Sequence, residues 1–159
     1  MMRVALAIVG IFVSATAVGA DEIKKRFGTW EVSIDKDRFN GESKVIALSM
    51  QQGDAVAVRC FPPEVSVVVG ELSLGAGRFE EGMEFDVRFR ADEGEIIEAT
   101  GVALSDKIIQ VEESRPMAEA IKKAKEFAFR LSFRGVTFDK VFKTGKGGQA
   151  LGEVFKACP

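Results

Sequence analysis

The sequence predicts a mainly β protein: an antiparallel β-sandwich or flattened barrel of about eight or nine strands, with one short helix and a C-terminal helix. Three observations carry this reading. Apolar and polar residues alternate along much of the chain, the period of a half-buried strand. Turn signals separate those runs at regular intervals. Only two segments carry the helical period, and one of them closes the chain. The 159 residues, 47% hydrophobic and 29% charged, suit one folded domain and are too apolar for a disordered chain.

The first twenty residues read as an address. Arg3 is the only charge before Asp21, and Val4 to Val13 is apolar. That run is about half the length a bilayer-spanning helix needs. A short apolar core behind a positive charge, followed by small residues, is the pattern of a secretory signal peptide. Cleavage is expected after Ala20, with Ala17 as the second choice. Residues 21–159 then form a single β-rich domain, periplasmic or secreted, with no stable membrane insertion.

Trp30, Val32 and Ile34 share one face of the first strand. Asp35 to Ser43 is polar and holds Asn40-Gly41, a turn signal. Ile46, Leu48 and Met50 align in the next strand, and Val56, Val58 and Cys60 in its partner across Gln52 to Asp54, a hairpin by spacing. Pro62 and Pro63 lack the N–H a ladder requires. Val65 to Val69 is a β-branched run. Gly70 to Gly82 reads as irregular. Met83 to Arg90 alternates cleanly, with Phe85, Val87 and Phe89 inward and Glu84, Asp86, Arg88 and Arg90 outward. Glu95 to Leu104 and Lys107 to Val111 are weaker strands. Glu126 to Phe133 and Val136 to Phe142 form a pair across Arg134-Gly135.

The first helix is expected to start at Ser114, with Ser114 as its cap and Pro116 in its first turn. Met117, Ala120, Ile121 and Ala124 share its apolar face. The second is expected over Gln149 to Ala157, with Leu151, Val154, Phe155 and Cys158 at the spacing of one helix face. Cys60 and Cys158 are the only cysteines. In an oxidising compartment an even count favours an intramolecular bridge. Two buried free thiols or an intermolecular bond are the alternatives. A bridge would staple the terminal helix to the inner face of the sheet. Closing so long a loop contributes about 4–5 kcal/mol on the chain-entropy model.

Composition excludes several chemistries. With no histidine, there is no Ser-His-Asp triad and no His-ligated zinc. Two cysteines cannot make a four-thiolate metal site. A net charge of −2 gives no broad basic surface for nucleic acid. Asp35, Asp37, Asn40 and Gly41 invite a calcium reading, but Phe39 and Ile46 fall where the EF-hand loop needs oxygen ligands. A polar turn is preferred, and a different kind of calcium site stays open. Lys143 to Gly148 lacks the Ser/Thr that follows the P-loop lysine, so a flexible entry to the last helix is expected. The carboxylate pairs, such as Glu80-Glu81, sit on turns without the opposed placement a glycosidase needs. No catalytic, metal or cofactor residue is assigned, and no cofactor is expected. Arg88 and Arg90, on an outer strand face, and Leu72 and Leu74, in the glycine-rich loop, form the candidate binding surface.

Short motifs add a likeness. Gly28 to Ser33 around Trp30, Val58-Arg59-Cys60, Val87 to Arg90, Phe138-Asp139, and the ending from Ala150-Leu151 to Ala157-Cys158 resemble the type VI secretion-associated VasI (TagO) family of small secreted proteobacterial proteins. The chain departs from that pattern at Asp35-Lys36-Asp37, which lacks the family's serine, and after Asp139. The resemblance implies a secreted β fold and no catalytic residues. Invasion-associated locus B proteins are a second likeness. They too are small secreted β-proteins, though with more cysteines.

Three functions follow from this reading. The first is a non-enzymatic, monomeric envelope protein that binds a protein partner or an envelope component and acts in secretion. The second is a small hydrolase using carboxylates or a Ser-Lys pair. The third is a purely structural or stress-protective protein.

Overall fold

The computed structural model describes residues 22–71 and 79–159. The leader, its cleavage point, and Leu72 and Leu74 lie outside the described residues. Ten strands and two helices follow in the order β1 (Glu22–Phe27), β2 (Trp30–Lys36), β3 (Ser43–Gln51), β4 (Asp54–Phe61), β5 (Glu64–Glu71), β6 (Glu84–Ala91), β7 (Ile97–Ala103), β8 (Ile108–Val111), α1 (Arg115–Lys123), β9 (Glu126–Phe133), β10 (Val136–Lys143) and α2 (Gly147–Ala157).

All ten strands join one sheet in the order β1-β2-β3-β4-β5-β8-β7-β6-β9-β10, and every pairing is antiparallel. Hairpins build both halves, and the β5–β8 pair welds them. The sheet curls until β10 reaches the β3–β4 turn. There Gln51 receives the backbone N–H of Lys143 at 3.0 Å and donates its amide to the Lys143 carbonyl at 2.8 Å. This continuous sheet stays open at its two edges and is curled and flattened like a sandwich, within the mainly β antiparallel class expected.

Most alternating residues do what their period implies, but in β3 the core takes Val45 and Ala47 while Ile46, Leu48 and Met50 face the other way, Met50 being 62% exposed. Trp30, Val32, Val45, Ala47, Val56, Val58, Phe85, Val87, Phe89, Phe127, Phe129 and Phe142 are buried in one core. Phe127 stacks on Phe142 at 5.4 Å between ring centroids, and Phe89 leans on Phe129 at 5.0 Å. Such aromatic pairs contribute about 0.5–1.5 kcal/mol beyond burial. Gly101 belongs to this packing. A Cβ there would stand 2.7 Å from Ile109 Cγ2 and 2.9 Å from Val87 Cγ2, so the two neighbours occupy the space a side chain would need.

The strand β1 is the one the alternation does not announce. Its residues, Glu22 to Phe27, are mostly charged and exposed, because an edge strand over solvent needs no buried face. It enters β2 through Gly28, whose φ of +62° suits glycine.

The helix α2 lies against β1 to β4, and α1 against β5, β6 and α2. Met117, Ala118 and Ile121 of α1 are buried, as are Ala150, Leu151 and Val154 of α2. Ser114 stands at the expected start of α1 but does not cap it. Its hydroxyl accepts the Val67 N–H of β5 at 2.7 Å instead, tying the helix entry to the sheet. Cys60 and Cys158 are joined, with a Cα–Cα distance of 5.8 Å, which settles the alternatives in favour of the intramolecular bridge. It fastens the end of α2 to β4.

Lys143 to Gly148 is a packed corner rather than the flexible entry expected from its glycines. The Thr144 carbonyl accepts the Trp30 indole N–H at 2.8 Å and the Gly147 N–H at 2.8 Å. A Cβ on Gly147 would fall 2.8 Å from Trp30 Nε1. The glycine here lets α2 begin against the tryptophan ring.

Candidate functional site

Three places bring polar chemistry together. The first is the outer face of β7, β6, β9 and β10. Register sets Glu98 opposite Arg88, Arg88 opposite Arg130, and Arg130 opposite Asp139. Two guanidinium groups therefore stand side by side between two carboxylates. Like charges directly opposite each other destabilise a sheet, and the flanking acids offset this. Arg88 Nε lies 3.2 Å from Glu98. Arg130 grips Asp139 with two nitrogens, at 2.8 and 2.7 Å. The hydrogen bond from Arg130 holds the Asp139 carboxyl below its ordinary value, and the same bond raises the guanidinium.

The next row across the sheet runs Arg90, Ala128, Val141. Ala128 is too small to fill its position, which leaves a shallow hollow of about 250 Å³ bordered by Arg88, Arg90, Arg130, Ile96 and Val141. Ile96 and Val141 are 48% and 54% exposed. Arg90 is held over the hollow's side by the carbonyls of Gly94 and Glu93. Because Arg130 and Asp139 are each about half exposed, their pair contributes little to stability. An incoming carboxylate can replace Asp139 at small cost. Arg88 and Arg90 were legible from alternation alone. Arg130, Ile96 and Val141 were not, since their adjacency depends on strand order, and β9 follows β6 in space but not in sequence.

The second place is a cleft of about 690 Å³ between the β2–β3 and β4–β5 turns. Phe39 at the tip is fully exposed, and Phe61 is 42% exposed. Asp37 shapes the turn: its Oδ1 accepts the N–H of Phe39 at 2.7 Å and of Asn40 at 3.3 Å. The Asn40 side chain in turn accepts the Glu42 N–H at 2.9 Å. The polar-turn reading of these residues accounts for these bonds. Among the described residues no cluster of three metal-ligating side chains occurs. Lys36, Arg38 and Lys44 are matched in number by Asp35, Asp37 and Glu42 around the cleft, so it has no preferred sign of charge.

The third place is the seam where the curled sheet closes. Lys140 of β10 is buried and reaches Asp54 of β4 at 2.8 Å and Glu71 of β5. Burial by itself would lower the lysine's pKa, but hydrogen bonds to both carboxylates outweigh it and raise it. Lys140 is held protonated, which unsuits it to the general-base role of a Ser-Lys pair. Its two carboxylates face the ammonium, not an open cleft.

No family model matches this chain, and no curated protein matches it. Among solved structures it is similar to invasion associated protein B from Bartonella henselae, with a TM-score of 0.53 and 14% identity over 84% of this chain and 96% of that one. At that identity the likeness shows the fold alone. The type VI family resemblance gains no support from these comparisons. The locus B likeness is the one that the fold repeats.

Proposed function

We propose that this is a non-enzymatic envelope protein that holds a partner protein on the outer face of β6, β9 and β10. The observation that carries the reading is the Arg88–Arg130 pair beside the hollow over Ala128. Two guanidiniums suit a carboxylate, which arginine binds with paired hydrogen bonds. The exposed Ile96 and Val141 suit an apolar side chain next to it. A partner segment carrying an acidic residue followed by an aliphatic one fits both features. The location outside the cytoplasm rests on the leader pattern and fits the Cys60–Cys158 bridge. The fold is shared with invasion associated protein B, whose association with invasion fits a setting outside the cytoplasm.

A photo-crosslinking residue placed at Val141, in the protein expressed in its native envelope, tests this. The expected result is one dominant adduct that disappears when Arg88→Ala and Arg130→Ala are combined. Equal adducts with and without those arginines would refute the site. The same probe at Phe39 serves as the control, and adducts only there would move the function to the cleft.

A further inference from the structure

We infer that the outer side of the two helices docks on a membrane surface rich in anionic phospholipid headgroups. The segments 115–125 and 143–159 hold seven of the chain's 22 basic residues and only two of its 24 acidic ones. Glu112 and Glu113 precede the first segment and Glu126 follows it, so the cationic excess is confined to the helices and the residues next to them.

The helices bring these cations together. An added Cβ on Gly148 would stand 2.9 Å from the Lys122 carbonyl, so the start of α2 abuts the end of α1. Lys146, the first residue before α2, lays the stem of its side chain over Gly28 of the β1–β2 turn, on the β1 side of that junction. Lys122 and Lys123 border one hollow with Glu119, Phe155 and Pro159. Phe155 lies under both Lys122, at 5.2 Å, and Arg115, at 5.7 Å. The two acids within these segments are already engaged, and Asp92, beside the end of the first, accepts the N–H groups of Lys125 and Glu126. Glu119 pairs with Arg115 at 3.4 Å, and Glu153 with Lys25 at 2.7 Å and Lys156 at 2.8 Å. Among the described residues, Lys122, Lys123 and Lys146 have no carboxylate partner.

Helix stability explains only part of this. Lys122, Lys123 and Lys156 lie in last turns, where the helix dipole favours cations. Lys146 lies at the opposite end of α2, where the dipole disfavours one, and the first turn has no acid to answer it. Its charge works against the helix and for an external anion.

The face also lacks what a protein partner would need. The exposed large apolar residues are on strands and turns, and none is in α1 or α2 among the described residues. A protein interface has an apolar centre, whereas a charged bilayer surface binds lysines as separate point charges. The attachment is peripheral: the helices' apolar sides are already used against the sheet.

Sedimentation of the purified protein with vesicles tests the inference. With 30% phosphatidylglycerol in phosphatidylcholine at low salt the protein is expected to pellet with the vesicles. With pure phosphatidylcholine, or at high salt, it is expected to stay in solution. Each surface lysine is worth roughly fivefold in partitioning, so Lys122→Gln with Lys123→Gln lowers it about 25-fold. Lys36→Gln with Lys44→Gln, an equal charge change on the far turn, leaves it within about twofold on the same scale. A melting midpoint checks that each variant is folded, and Lys146→Gln alone replaces the first pair if it is not. Equal binding to both vesicle types, or equal loss from both lysine pairs, overturns the inference. Retention on immobilised polyglutamate with no pelleting on the phosphatidylglycerol vesicles overturns the choice of lipid in favour of acidic protein.

Discussion

Replacing Lys140 with methionine removes the cation from the seam while keeping most of its volume. Asp54 and Glu71 then face each other without the ammonium between them. Breaking a buried ion pair by removing one partner costs about 3–5 kcal/mol. The Asp54 side chain is 19% exposed and that of Glu71 only 6%, so water relieves one carboxylate partly and the lower figure applies, about 3 kcal/mol. With an unfolding entropy near 2.1 cal/mol/K per residue, that is a fall of about 10 °C in melting temperature. Urea unfolding followed by tryptophan fluorescence measures it, since Trp30 is buried and is the only tryptophan. The pH dependence has a definite sign. The folded pKa of Lys140 is raised, so its stabilisation is complete below the ordinary lysine pKa and is lost as pH rises through the folded value. The gap between native protein and variant should hold through neutral pH and narrow in strong alkali. Adding Asp54→Asn to the variant should recover part of the loss, because the seam then holds one carboxylate charge fewer. A loss below about 1 kcal/mol would refute the view that this ion cluster closes the sheet.

Other outcomes are expected elsewhere. Peptide mass spectrometry should recover Cys60 and Cys158 as one linked pair, and replacing both with alanine should cost up to about 4–5 kcal/mol in urea unfolding. Gly101→Ala should destabilise by about 1–3 kcal/mol, because Ile109 and Val87 already fill the site; a neutral result would show that β7 can shift. In an NMR titration the Asp139 carboxyl should show a midpoint below its ordinary value, and Arg130→Ala should return it. Any stability this pair supplies is present above the unfolded carboxylate pKa and is lost as pH falls through the lowered folded one. An unchanged Asp139 midpoint in the variant would break the assignment.

Alternation made most strands legible because burial on one face leaves a period of two in the sequence. Met83 to Arg90 is the plainest instance, and β6 follows it closely. The strand β1 escaped because neither face of Glu22 to Phe27 is buried, so no period is imposed. The bridge was legible from two features: Cys60 shares a strand face with Val58, and Cys158 a helix face with Val154. Strand order was not legible. Nothing local in Arg88 or Arg130 says that β6 pairs with β9 across 42 residues, and the arginine pair exists only through that pairing. Lys140 lies on the face of Phe138 and Phe142 by alternation, yet nothing in its segment points to Asp54 and Glu71 as its partners. It is buried because the sheet curls, a property of the whole array and not of its segment. The Lys143 to Gly148 corner misled for a different reason. Its glycines are selected by close approach to Trp30, which composition cannot separate from flexibility.

The Gln51 contact with β10 bears on how copies of this protein behave toward one another. A ten-stranded open sheet has two edges, and each presents unpaired backbone groups that another chain can extend. At the Lys143 end of β10 the amide of Gln51 supplies one donor and one acceptor, as a neighbouring strand would. The opposite edge, β1, carries Lys24, Lys25 and Arg26 in succession, a run whose like charges repel a second copy laid alongside. The curl and a single glutamine thus guard one border and charge guards the other, so the sheet can remain open without growing into a fibre.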